Sequence, residues 1–233
     1  MRNKRDVSQL MDGSASLLGA MPFQVAEAYK TLRTNLLFTL AAGENKTVVV
    51  SSASPSEGKS STCANLAIAM AQTDAKVVLI DADLRKPTQF KVFAINNNKG
   101  LSTILAGFSD LDEVINHDVM PNLDLITSGP TPPNPSELLG AERMSLLINQ
   151  LRARYEYIFI DTPPINVVTD ALVVSNMAAG VVVVARHGQS TYNDLTKAVS
   201  SLEFSGANIL GLVVNGIKEK AGRFGKYKYS KYS

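Results

Sequence analysis

Eight residues, Ala53-Ser54-Pro55-Ser56-Glu57-Gly58-Lys59-Ser60, carry the strongest chemical signal in the chain. They match the phosphate loop G-x-x-x-x-G-K-[ST], with Ala53 where the first glycine is expected. Such a loop turns from a strand into a helix, so successive backbone N–H groups and the positive end of the helix face phosphate oxygens. Gly58 permits close approach, the Lys59 ammonium reaches the outer phosphates, and the Ser60 hydroxyl is a ligand for Mg²⁺. The context is right: Val48-Val49-Val50 precede the motif and a helical pattern follows it. Ser56, Glu57, Gly58, Lys59, Ser60 and Ser61 are therefore the expected nucleotide contacts, with ATP and Mg²⁺ as the expected ligands.

Two more acidic sites end apolar runs. Val77-Val78-Leu79-Ile80 leads into Asp81-Ala82-Asp83-Leu84-Arg85-Lys86-Pro87, and Ile158-Phe159-Ile160 leads into Asp161-Thr162-Pro163-Pro164. Carboxylates spaced i, i+2 at a strand end can share a metal or a base role near phosphates. In isolation, a polar strand exit explains Asp81 and Asp83 better. An apolar strand followed by Asp161 is the usual Mg²⁺-side partner of a phosphate loop. Three acids converging on one nucleotide make an ATPase or kinase constellation and exclude a dehydrogenase.

The elements that must hold these residues follow from periodicity. Phe23, Ala26, Tyr29, Leu32, Leu36 and Leu40 recur at three- and four-residue steps, which predicts a helix from Pro22 to Leu40. Strands are expected at Thr47–Ser51, Lys76–Ile80, Leu123–Thr127, Tyr157–Ile160, Val181–Ala185 and Leu210–Val214, and helices at about 61–73, 136–154, 167–177 and 191–204. This alternation predicts an α/β fold, a doubly wound and mainly parallel sheet covered on both faces. Ligands bind such sheets at the carboxyl ends of the strands, where all three motifs lie. Arg186 and Asn215 also end strands and are placed to touch the base or ribose. Gly129-Pro130-Thr131-Pro132-Pro133-Asn134-Pro135 is a stiff loop.

At 233 residues, 45% hydrophobic and 19% charged, the chain fits one globular domain. We divide it into a flexible segment at 1–21, a nucleotide-binding domain at 22–217 opening on a helix at 22–41, and a tail at 218–233 expected to be disordered in isolation. The single cysteine, Cys63, excludes an internal disulfide framework and reads as buried filler. There is no apolar run of membrane-spanning length and no signal peptide, so a soluble, cytoplasmic chain is expected. Neither His117 nor His187 has a partner at metal-ligand spacing. The formal charge of +2 hides an asymmetry. Residues 218–233 hold six basic groups against one acid, a net of +5, while residues 1–217 hold 17 basic and 20 acidic groups, a net of −3. The same tail carries Tyr227, Tyr229 and Tyr232, three of the seven tyrosines, in a segment with no core to pack them. A basic, solubilising terminus is the plain alternative; the acceptors then lie elsewhere, Tyr192 being one candidate.

Taken together, Ser52–Ser60, Asp81-x-Asp83-x-Arg85-Lys86-Pro87, Asp161-Thr162-Pro163-Pro164, the loop Ser128-Gly129-Pro130-x-Pro132-Pro133-Asn134-Pro135-x-Glu137-Leu138-Leu139 and the terminal tyrosines resemble the bacterial protein-tyrosine kinases of capsular and exopolysaccharide synthesis. The resemblance runs from about Glu27 to the C-terminus. It implies that Lys59 and Ser60 hold the β- and γ-phosphates and Mg²⁺, and that Asp161 supports the metal. It also implies that Asp81 acts at the attacking hydroxyl and the metal, that Asp83 completes the acidic site, and that Arg85 assists with phosphates. Tyr227, Tyr229 and Tyr232 become the acceptors, modified in trans. Glu27-x-x-Lys30-x-x-Arg33 resembles the family motif Glu-x-x-Arg-x-x-Arg, linked to ring-shaped self-assembly, with Lys30 as a departure. The implied partners are a membrane adaptor with an activating cytoplasmic segment, other copies of the chain, protein tyrosine substrates and a cognate tyrosine phosphatase, but no nucleic acid. Two other readings share the fold: a partition-type switch ATPase, whose members carry a lysine where Ser54 stands, and a non-catalytic scaffold gated by nucleotide.

Overall fold

The computed structural model describes Leu17 and residues 21–217. Seven strands form one sheet: β1 Thr47–Ser52, β2 Val77–Asp81, β3 Ile115–Met120, β4 Leu123–Ile126, β5 Tyr157–Asp161, β6 Gly180–Arg186 and β7 Ile209–Asn215, in the order β3-β4-β2-β5-β1-β6-β7. All pairs are parallel except β3 with β4. The helices are α1 Phe23–Leu40, α2 Lys59–Ala71, α3 Gln89–Val92, α4 Leu101–Leu105, α5 Leu111–Val114, α6 Pro135–Gly140, α7 Glu142–Arg152, α8 Asp170–Ser175 and α9 Tyr192–Phe204.

The continuous β-branched runs are explained by burial on both sides. Alternate residues of the central strands point to opposite faces. Val49, Val78, Ile80, Ile158, Ile160, Val181 and Val183 pack with Met144, Leu147 and Leu151 of α7 and Leu202 of α9. Val48, Val50, Val77, Leu79, Phe159, Val182 and Val184 pack with Leu66 and Met70 of α2, and α1 adds Leu36 and Leu40 as an outer layer. Cys63 is buried, as expected, in small-residue α2, which runs between the sheet and α1. Leu17 is buried in the same layer, although it lies in the segment read as flexible.

The sequence reading recovers the six parallel strands and misses smaller pieces. Strand β3 is antiparallel at the sheet edge, with a polar, partly exposed sequence that has no alternation to detect. The single helix expected over 136–154 is two, because Ala141 is extended with ψ 152°. Helix α8 starts at Asp170 rather than 167. His117, given no role, lies with Nδ1 2.7 Å from Asp124 Oδ2 at this edge. Among the described residues no helix is long and apolar enough to cross a membrane. The tail at 218–233 with Tyr227, Tyr229 and Tyr232 lies outside the described residues, as does nearly all of 1–21.

Candidate active site

The site is built at the carboxyl ends of β1, β2 and β5. Gly58 caps α2 with φ +90°, which favours glycine, and a Cβ there would stand 2.4 Å from Asn215 Nδ2 and displace that side chain. Ser56 also has positive φ, 64°, whereas Ala53 does not. The absence of a left-handed φ at Ala53 explains why alanine serves where the motif has glycine. Neighbouring segments brace the loop. Glu57 is wholly buried, and its carboxylate accepts from Ser54 N at 2.8 Å and from the Ser190 hydroxyl. Arg186 Nη1 donates to the Ser56 carbonyl at 3.2 Å, and Gln189 Nε2 to that of Pro55 at 3.2 Å. Asn215 Nδ2 donates to Thr62 Oγ1 at 3.3 Å. The Glu57 side chain therefore folds the loop rather than facing phosphates, and Arg186 and Asn215 hold its backbone. Gln189 and Ser190 were not read from the sequence, since they act 134 and 133 residues away along the chain.

Strand register brings the acids together. In the β2–β5 ladder Asp81 stands directly opposite Asp161, and both are fully buried. Lys59 Nζ donates to Asp83 Oδ2 at 2.8 Å, to Asp161 Oδ1 at 3.3 Å and to Ser60 Oγ at 3.1 Å. Burial alone would lower the Lys59 pKa, but the Asp161 and Asp83 carboxylates outweigh it and hold the ammonium charged well above its usual range. Asp81 behaves in the opposite way. Burial, followed by repulsion from Asp161, pushes its carboxyl up to about 8 despite hydrogen bonds from the Gln89 and Thr88 amides. Those amides reach Asp81 Oδ2 at 2.9 and 3.0 Å and start helix α3. Asp83 Oδ1 accepts from Lys86 N at 3.0 Å, closing the turn that follows.

Gln89 is the functional residue the sequence reading missed. Its side chain is wholly buried, and Nε2 donates to Asp161 Oδ2 at 2.8 Å and to the Ser60 carbonyl at 3.1 Å. Its side-chain amide thus links two motifs and its backbone N–H, bonded to Asp81, the third, and no spacing rule announces it. Arg85 is placed differently from the expectation of a phosphate ligand. It forms a two-pronged pair with buried Asp170, at 2.9 and 3.1 Å, and also donates to Ser136 Oγ at 3.0 Å. The guanidinium ties the acidic segment to the starts of α6 and α8. Of the proposed assembly residues, Glu27 and Lys30 form an exposed ion pair of 2.6 Å, whereas Arg33 Nη1 turns inward to the Ala69 carbonyl of α2 at 2.9 Å.

Among the described residues no cluster of three or more His, Cys, Asp or Glu groups forms a metal cage. A nucleotide-bound Mg²⁺ does not need one, because it takes one or two carboxylates and fills its octahedron with phosphate and water. The adjacent pair Asp81 and Asp161 with the Ser60 hydroxyl fits that donor set. A separate cavity of about 290 Å³, lined by Asn45, Ser145, Arg152 and Met177 among others, opens at the opposite ends of the strands and takes no part.

A family model described as an AAA domain matches residues 45–203. The chain is 41% identical over 203 residues to the tyrosine-protein kinase YwqD of Bacillus subtilis, covering 87% of this chain and 86% of that one. It is 39% identical over 206 residues to the tyrosine-protein kinase wzc of Salmonella typhimurium, of which it spans only 29%. Among solved structures, the kinase domain of Escherichia coli tyrosine kinase ETK superposes with a TM-score of 0.84 at 36% identity, covering 97% of this chain and 90% of that one. A plasmid partition protein from Borrelia burgdorferi, at 24% identity and a TM-score of 0.61, shares the fold. At these identities and coverages, the chain belongs to the tyrosine-protein kinase family of bacteria built on the P-loop AAA domain.

Proposed function

We propose that this chain transfers the γ-phosphoryl group of ATP to tyrosine hydroxyls, first those of Tyr227, Tyr229 and Tyr232 on another copy. The observation that carries this reading is the register pairing of Asp81 with Asp161 beside the Lys59 ammonium. Mg²⁺, held by Ser60 and Asp161 with Asp81 alongside, would neutralise charge on the β- and γ-phosphates when bound. Lys59 exchanges its carboxylate partners for phosphate oxygens and stabilises charge spreading onto them in the transition state. Asp81, whose own proton a bound Mg²⁺ would displace, receives the proton of the attacking phenol. Gln89 fixes the orientation of Asp161, and Asp83 holds Lys59 in place until the nucleotide arrives. Arg186 and Asn215, which brace the loop, also border the base and ribose of the nucleotide.

The wider setting is part of the proposal. The chain works at the inner face of the membrane in capsular or exopolysaccharide synthesis, recruited by an adaptor that supplies an activating segment. A phosphatase reverses the modification. Support comes from the longer relative, which carries sequence beyond the matched part, and from the Glu27/Lys30 face of α1, whose ion pair is open to solvent and to another copy. Incubation with γ-labelled ATP tests the reading. Label should appear on tyrosine of the chain. Label released only as free phosphate indicates a switch ATPase, and no turnover at all indicates a scaffold.

A further inference from the structure

Four of the seven tyrosines lie in the described residues, and three of them are committed to the structure. Tyr29 is half-buried against α2, with its hydroxyl bonded to the Thr62 and Asn65 side chains. Tyr155 donates its hydroxyl to Asp124 Oδ2 at 2.6 Å. Tyr157 is buried in β5, its ring 4.9 Å beneath the Lys46 ammonium. Tyr192 is the exception. It is 82% exposed, and its hydroxyl has no partner among the described residues.

Its place in the fold is specific. Tyr192 is the first residue of α9, and Thr191 caps that helix by accepting from Asp194 N at 3.1 Å. The preceding turn is the segment that braces the phosphate loop through Arg186, Gln189 and Ser190. Tyr192 follows Ser190 by two residues, so their Cα atoms are at most about 7 Å apart. A phenol on the rim of a tyrosine kinase's own nucleotide site is therefore presented to solvent from a fixed backbone. The start of a 13-residue helix also tolerates the added anion, since the helix dipole favours negative charge there.

We propose that Tyr192 is a phosphoacceptor of this kinase, separate from the tail and modified by a second copy. Resting on the tyrosine-kinase reading above, this assignment adds a site within the folded domain. The transfer is assigned to a second copy because α9 and the braced turn fix the backbone of Tyr192 while its side chain faces solvent. The Tyr192 oxygen bonds to the γ-phosphorus of ATP held by the other copy. The bond from that phosphorus to the β,γ-bridging oxygen breaks, ADP departs, and the phenol proton passes to a carboxylate of that copy's acidic group.

Phosphopeptide mass spectrometry of the full chain after incubation with Mg²⁺ and ATP is the test. A variant with Tyr227, Tyr229 and Tyr232 changed to Phe should keep phosphate on Tyr192, and adding Tyr192→Phe should remove at least nine-tenths of what remains. A Lys59→Met chain, unable to transfer, should become labelled at Tyr192 when mixed with the wild type. A modified tail with an unmodified Tyr192 peptide in both the wild type and the triple variant would overturn the assignment alone. Absence of phosphotyrosine anywhere would overturn the kinase reading with it. Label on Tyr192 of the wild type but not of the mixed Lys59→Met chain would overturn the trans route. Because the hydroxyl is exposed and unbonded, the Phe variant keeps the fold.

Discussion

Asp81 shows how far one side chain's chemistry is set by a strand neighbour. Facing Asp161 in a dry sheet, it holds a proton that the unfolded chain releases near its ordinary value of 3.8. Its contribution to stability is therefore full at low pH and is lost as pH rises toward about 8. For the protein free of nucleotide and metal, Asp81→Asn should gain in Tm relative to the parent between about pH 5 and 8. A Tm difference that stays constant over this range would contradict the assigned cause. Gln89 gives a second test at this scale. Gln89→Leu keeps the bulk but leaves Asp161 Oδ2 and the Ser60 carbonyl without their donor. Phosphoryl transfer should fall about 10- to 100-fold, as for other residues that orient metal ligands, with far-UV circular dichroism unchanged. A loss below twofold would remove Gln89 from the site. Lys59, Ser60, Asp81, Asp83 and Asp161 were legible because each lies in a contiguous motif at a strand end. Gln89, Gln189 and Ser190 were not, because their partners are 29 to 134 residues away and only the fold supplies them.

Among the elements, α1 separates residues that the sequence reading grouped as one face. Glu27 and Arg33 appeared as one assembly face, yet Arg33 spends its guanidinium on the Ala69 carbonyl. Removing a partly buried hydrogen-bonded charge costs about 1–3 kcal/mol, while an exposed ion pair such as Glu27–Lys30 contributes under about 1 kcal/mol. Arg33→Ala should therefore lower the denaturation midpoint, and Glu27→Ala should leave it in place while shifting light scattering toward smaller species. Equal effects of both variants on stability would reject this division. The strands were readable because burial on both faces demands uninterrupted β-branched residues. Helices α3, α4 and α5 span four or five residues each, too short to show a helical period. Strand β3 has one half-exposed polar face and no alternation.

At the scale of the whole molecule, charge is divided between a −3 body and a +5 tail. Phosphate adds about −1.5 to −2 per tyrosine near neutral pH, so modifying Tyr227, Tyr229 and Tyr232 adds roughly −5 and nearly cancels the tail's charge. Under the proposed function, an unmodified tail should be attracted to the acidic, nucleotide-loaded site of another copy, and a modified one should be released. Light scattering should show association before reaction with ATP and dissociation after it, and Phe at all three positions should preserve association. Assembly that is indifferent to modification would separate the tail from the oligomer. The expectations for Gln89 and for the tail depend on phosphoryl transfer at the Lys59 site. Quantitative phosphotyrosine on the purified wild type and on Lys59→Met, incubated separately with Mg²⁺ and ATP, measures that directly. The account predicts abundant phosphotyrosine on the wild type and none above background on a Lys59→Met chain with an unchanged circular dichroism spectrum; labelling of the variant at the wild-type rate would contradict it.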